Sequence, residues 1–581
     1  MQVRIYLNDW FYNMGIVGMI RILEHAKRKG EDITFVLGED FLEIDDKTIN
    51  NFHNFYFDYF YDEYTKKEYI KIKDRFNQLK LKLDVDTIKE IEKFLLETKL
   101  DDKAAKKGFE SEVKELLDII KKVKKNHDLN TLAILINKIE SLLKENDVIE
   151  KYALDNIRSM MYDNFFGQMS FLQKGLSNKS LDEHKQIMFK DFIKPLIVDI
   201  KVEEYLQNND LNSLSSFLEK EQGKEENVKA YKNYLKKSKK DMNIFNESLC
   251  ANSYCSICNI YPSFKEDFNE SRFLILGVSN ENASNFFWNF ITKYPICNLC
   301  KLVILCAPAG VAKFDKFYME KEEWWKRNFY TFVNLDTNLE DLFKKNESLK
   351  KKISSDNPYK EFIVDILEQA REESIWTLQN ILFVEFNGQY QSKKSNLKYM
   401  HISKFIAKYF KTYSRETIDR IKNRKLKAEL IDKILQNEDL NKVIFIRLKE
   451  CIKNNANGAD IYYSTLSKAL LNCIKMKGDE NKVKDKVYRA FFTGKEMREY
   501  LKKNKSENKI SSLAYRLLNT AKVGNKKDFM DTVLRLYINS EMEMPRIFLE
   551  AFYEDNIDFE TLAQSFIAGL ITETKEVEVH E

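Results

Sequence analysis

The chain has 581 residues, 44% of them hydrophobic and 32% charged, with a formal net charge of +4. That length suggests two to four domains with sizeable cores. The small net charge excludes a globally basic nucleic-acid binder, so any such surface must be local. Only 6 Pro and 16 Gly argue against a disordered chain and for a mostly helical one.

In chain order, Val3, Ile5 and Leu7 alternate, which predicts a strand over 2–7. Asn8-Asp9 turns the chain. A helix follows, with Ile16, Ile20, Leu23 and Ala26 at helical spacing and Gly30 as its stop. Either Asn13 or Gly15 is expected to start that helix, with Gly18 permitting close packing. A second reading has exposed amides at the helix start receiving a phosphate. Ile33–Leu37 and Phe41–Ile44 read as a hairpin around Gly38-Glu39-Asp40. Phe52, Phe55, Tyr56, Tyr59 and Phe60 share one helical face. Such spacing favours core over base stacking.

Residues 76–245 read as helical and highly charged, suggesting long antiparallel helices or an inserted arm. Phe109, Val113, Leu116, Leu117, Ile120 and Val123 form one apolar stripe. Leu132, Leu135, Ile136, Ile139, Leu142 and Leu143 form another. Lys220–Lys240 reads as a solvated helix or linker. His127-Asp128 could suggest a metal-dependent nuclease. Such a site needs several more His and Asp ligands, and the chain has six histidines, so a helix-to-helix junction is favoured.

The region 246–310 changes character. Cys255, Cys258, Cys297 and Cys300 form two CxxC pairs, and no histidine lies between them. Two such knuckles complete a tetrahedron of thiolates, so one structural Zn²⁺ is expected. A closed four-thiolate site has no open position for substrate, and no catalysis is expected there. Cys250 and Cys306 flank the site as alternate ligands, but buried free thiols suit them better, as they do Cys451 and Cys473. Phe273–Val278 is expected as a short apolar strand. Ile381–Phe386, an Asn387-Gly388 turn and a second polar strand read as a hairpin. The chain beyond 400 is helical.

The expected fold is α+β and predominantly α-helical. It has a small N-terminal α/β part (1–75), the helical arm (76–245) and a zinc-ribbon-like CxxC region (246–310). A mixed continuation (311–400) and a C-terminal helical bundle (401–581) complete it. The start lacks a long apolar core and no stretch is fit to span a bilayer. Eight cysteines with CxxC spacing point to a reducing compartment. A soluble, cytoplasmic protein with no membrane partner is expected. Neither a phosphate-binding P-loop, an HExxH nor a GxSxG is present, and no enzymatic activity is expected. Two basic patches are candidates for nucleic-acid contact. One comprises Lys502, Lys503, Lys505, Lys509, Arg516, Lys522, Lys526 and Lys527, and the other Lys393, Lys394 and Lys398 at the hairpin tip.

Three features resemble one family. The first is the start, Ile5-Tyr6-Leu7-Asn8-Asp9-Trp10-Phe11-Tyr12-Asn13-Met14-Gly15-Ile16-Val17-Gly18, in which Asn8, Trp10, Asn13, Gly15 and Gly18 stand out. The second is the pair Cys255-Ser256-Ile257-Cys258 and Cys297-Asn298-Leu299-Cys300. The third runs from Leu517-Leu518-Asn519 through Gly524-Asn525 and Phe529-Met530-Asp531 to Phe566-Ile567-Ala568-Gly569-Leu570. Together they resemble the CXXC–CXXC large subunit of type I-B CRISPR interference complexes (Cascade).

The resemblance implies a non-catalytic subunit at the 5′ handle of the crRNA. It would recognise the protospacer-adjacent motif, support R-loop formation and dock the helicase-nuclease in antiviral defence. Backbone, handle-binding and small subunits would be its partners, and Met400 or Met476 could start a separate small subunit. The alternatives are a stand-alone zinc-ribbon nucleic-acid-binding protein and a CxxC redox enzyme.

Overall fold

The computed structural model describes residues 2–81, 87–126, 129–167, 169–221, 225–239, 241–252, 254–264, 266–268, 272–276, 294–316, 328–352, 360, 381–389, 394–550 and 558–573. His127-Asp128 and Lys393 lie outside them. The fold is α+β and predominantly helical, as expected. It divides into two compact units. The first takes in residues 1–311, 337–346 and 385–397, and the second 312–336, 347–384 and 398–581.

The first unit begins with strand β1 (Gln2–Tyr6), followed by helix α1 (Trp10–Arg28). The hairpin β2 (Phe35–Leu37) and β3 (Phe41–Asp45) completes an antiparallel sheet in the order β1-β3-β2. Val3 and Ile5 turn to the core, as period-2 alternation requires. Asp9 caps α1, its side chain accepting from the Tyr12 amide at 2.9 Å. The helix therefore starts before Asn13 and Gly15, contrary to expectation. A carboxylate placed three residues ahead of a free amide is a strong cap. Asn13 instead clasps Asn8, accepting from its amide at 2.8 Å and donating to its carbonyl at 2.9 Å. Residues Phe11 to Leu23 are all buried, so this helix start is a core element rather than an open phosphate cradle.

Helix α2 (Asp46–Phe60) buries all five predicted aromatics. Tyr56 also donates to the Leu305 carbonyl at 3.0 Å, which satisfies its hydroxyl in the interior. Between 66 and 250 the described α-helices run from 6 to 19 residues. Both apolar stripes are used, except that Leu117 is exposed. Charge density along the sequence hid the helix ends. The segment expected as a solvated helix or linker contains α4 (Glu226–Ser238), which buries Val228 and Tyr231 against α3 (Lys194–Gln207) and the helix Leu211–Lys220. Of the strand expected over Phe273–Val278, residues 274–276 form a turn instead, and 277–278 lie outside the described residues. Phe273 packs its ring 4.4 Å from Phe11 and 5.3 Å from Phe386, so its apolar character serves tertiary packing.

A four-stranded sheet has the order β4 (Ala312–Asp315), β5 (Asn328–Asn334), β6 (Leu382–Gln389), β7 (Lys394–His401). Strand β6 runs straight through Asn387-Gly388, so the expected turn is not there. Buried Asn387 accepts from the Asn396 side chain at 2.9 Å, a pairing that keeps an Asn-Gly dipeptide extended. Among the described residues the second unit is otherwise mostly helical. It includes α6 (Glu480–Lys503), α7 (Ile510–Lys522), α8 (Lys526–Ser540) and α9 (Phe559–Leu570). Gly494 of α6 meets the Phe566 carbonyl, and Gly569 of α9 meets that of Phe491. A Cβ at either position would overlap backbone, so the two helices approach as only paired glycines allow.

Candidate metal centre

The two CxxC pairs converge. Their four sulfur atoms all lie within 4.8 Å of one another. Around a tetrahedral Zn²⁺ with bonds of about 2.3 Å, sulfurs sit about 3.8 Å apart, and Cys258 Sγ is 3.6 Å from Cys297 Sγ. The donor set and its spacing fit one zinc ion.

Backbone geometry makes each knuckle. Cys255 donates its amide to the Tyr261 carbonyl at 3.0 Å, and an isolated bridge joins Tyr254 to Pro262. Asn259 takes a left-handed φ of 54°, which closes the first turn and aims the Ile260 amide at Cys258 Sγ, 3.4 Å away. In the second pair, Cys297 caps helix α5 (Asn298–Leu305), and its sulfur accepts from the Cys300 amide at 3.4 Å. Ser256 donates to the Pro295 carbonyl at 2.9 Å, tying one knuckle to the chain entering the other.

The thiols are buried, with Cys258 half-exposed. Burial pushes Cys297 and Cys300 well above the usual thiol range. Hydrogen bonds from the neighbouring thiols, Cys258 first, hold Cys255 far below it. Such a cluster shelters negative charge on some sulfurs only while the others keep protons. A divalent cation removes that conflict for all four. Cys250 is exposed, and buried Cys306 donates its thiol to the Leu302 carbonyl at 3.3 Å. Neither belongs to the cluster. Cys451 and Cys473 are buried free thiols.

The N-terminal motif braces this centre. Asn8 donates to the Ile257 carbonyl inside the first knuckle at 3.1 Å. Tyr12 places its hydroxyl in hydrogen-bond reach of Cys300 Sγ at 3.3 Å, and burial raises that phenol well above its ordinary pKa, so it stays neutral. Gly15 packs against Val303 and Gly18 against Cys306, so α1 lies directly along α5 and the turn after it. Trp10 is half-buried, 6.4 Å ring-to-ring from Phe273. Sequence reasoning missed the tie between Asn8, Tyr12 and the cysteines, because residues 249 and 288 positions apart carry no local signal.

It also missed a buried polar network beside the centre. Asp199 of α3 is 1% exposed. It accepts from Asn227 at 2.8 Å, Tyr231 at 3.0 Å and Asn298 at 2.8 Å. Burial still raises its pKa to about 6. Asn298 directly follows Cys297, so α3 and α4 are fastened to the second knuckle.

The basic candidates fall elsewhere. Lys502, Lys503, Lys505, Lys509, Arg516, Lys522, Lys526 and Lys527 are all exposed on and between α6, α7 and α8. Among the described residues none of them is paired with a carboxylate. Lys526 lies 5.9 Å from the Phe559 ring centroid. Lys394 begins β7. Lys398, half-buried, donates to Gln436 at 3.2 Å.

Residues 251–312 match the family described as CRISPR-associated protein (Cas_CXXC_CXXC). Over that region, which holds both knuckles and α5, the chain is similar to CRISPR-associated proteins with paired CxxC motifs. No curated protein and no solved structure matches it.

Proposed function

We propose that the protein is the non-catalytic large subunit of a CRISPR-guided DNA surveillance complex of the type I-B (Cascade) kind. In this reading it acts in the cytoplasm in antiviral defence. It binds at the crRNA handle, recognises the protospacer-adjacent motif, supports R-loop formation and docks the helicase-nuclease. One observation carries the reading. The stretch that matches a CRISPR-associated family is the one around which the N-terminal motif folds, through Asn8, Tyr12, Gly15 and Gly18. Four protein thiolates would fill a zinc ion's coordination shell, which favours a bracing role over catalysis. The unpaired cations on α7 and α8 favour sequence-blind contact with phosphates.

The test is co-expression with neighbouring genes and purification through a tag on this chain. A guide RNA and a multi-copy backbone subunit are expected in the eluate. Purification of the chain without RNA or partner subunits would reject the reading.

A further inference from the structure

Helix α7 buries Ile510, Ala514, Leu517, Leu518 and Ala521 as its core stripe. Its other side carries Ser512, Tyr515, Arg516, Asn519 and Lys522, all exposed. Asn519 and Lys522 follow Tyr515 at helical spacing, so the three share one face, with Lys522 about 10 Å along the axis from the ring. From residue 508 to 527 the chain has no Asp or Glu, while Lys509, Arg516, Lys522, Lys526 and Lys527 fall within that run. These cations are exposed, and none pairs with a carboxylate among the described residues. The acids that bound the run are engaged elsewhere: Glu507 accepts from Arg498 at 3.2 Å and Asp528 from Asn525 at 2.6 Å. Tyr515 is 43% exposed, and among the described residues it makes no hydrogen bond and no ring contact.

A single exposed ring is ordinary. A free ring set in an acid-free run of free cations is the combination that binds a single nucleic-acid strand. We propose that Tyr515 stacks on an unpaired base of such a strand, whose phosphates Arg516 and Lys522 hold. Cations bind paired and unpaired strands alike, whereas a ring face reaches a base only where it is free of a duplex. Tyr515 therefore gives this basic surface a preference for single strands that its lysines alone cannot supply. A protein partner suits the surface less. Val523 is the other large apolar side chain exposed between 508 and 527, too little for the apolar core of an interface. The inference rests on the proposed function only in supposing that an unpaired strand reaches the second unit.

The experiment compares the full chain with Tyr515→Ala and Tyr515→Phe, using a labelled oligo-dT strand, a blunt duplex and poly-glutamate. Melting curves check that all three proteins are folded. Tyr515→Ala is expected to lose about five-fold or more in affinity for the single strand. Duplex affinity and the salt slope should stay unchanged, because no charge is removed. Tyr515→Phe keeps the ring and should bind the single strand as the parent does. Four results would overturn the proposal: no single-strand binding by the parent, no loss or equal losses on strand and duplex in Tyr515→Ala, a Phe variant as weak as the Ala variant, or tighter parent binding to poly-glutamate than to oligo-dT. Failure to recover guide RNA on co-purification, with strand discrimination intact, would reject the proposed complex and leave the role of Tyr515 standing.

Discussion

Tyr12 reaches from the first helix to the Cys300 sulfur, and its hydroxyl is the sort of outer partner that tunes a metal ligand. Removing it leaves four sulfurs in place but strips one hydrogen bond from them. Tyr12→Phe should keep the metal while weakening its affinity by about ten-fold or more. Competition with a chromophoric zinc chelator measures this, and an affinity equal to the parent's would separate Tyr12 from the centre. Asp199 makes a second prediction. Its folded pKa of about 6 lies above the ordinary value of 3.8, so the folded state binds the proton more tightly. The group favours folding most below about pH 4, and that contribution is lost as pH rises to about 6. A rise of that size corresponds to about 3 kcal/mol at most. Asp199→Asn carries no such titration. From pH 4 to pH 7 the parent should therefore lose stability relative to the variant, and a constant difference in denaturation midpoints would contradict the assignment.

Between elements, contact distance is set by glycine. A Cβ on Gly18 would meet the Cys306 carbonyl, whereas one on Gly175 would meet nothing. Gly18→Ala should cost about 1–3 kcal/mol, the range for overpacking, while Gly175→Ala should stay within about 0.5 kcal/mol. Thermal melts of the two variants check the contrast, and equal melting temperatures would refute it. At this scale much was legible in the sequence. Period-2 alternation gave β1, and aromatic spacing gave the buried face of α2. The paired CxxC spacing gave the four sulfurs. What was not legible came from distant partners. Asn387-Gly388 has a turn's composition, yet Asn396 holds it in a strand. Phe273 looks like a strand residue because its neighbours are apolar, while its partners Phe11 and Phe386 lie far away in sequence. The cap at Asp9 was misplaced because Asn13 has a capper's chemistry but spends it on Asn8.

On the scale of the whole molecule, charge is nearly balanced, and two local devices stand apart from the bulk. In the first unit, α1, α3 and α5 each make a bond or close contact at or beside the cysteines. The second unit carries the unpaired lysines. Replacing Lys522, Lys526 and Lys527 by Ala should weaken binding to an opened DNA target. It should also reduce the salt slope by up to about three. An unchanged slope in a titration from low to moderate salt would remove these lysines from the nucleic-acid surface. Among the described residues no helix is long and apolar enough to cross a membrane.

Whether the cysteine cluster is a structural metal centre decides how the first unit holds together, and metal content per chain tests it most directly. Elemental analysis of the purified protein should find one zinc per chain. Cys255→Ser should lose the metal and lower the melting temperature of the fold, since metal binding is part of the folding energy. A parent chain that is folded, free of metal and titrates four accessible thiols would contradict it.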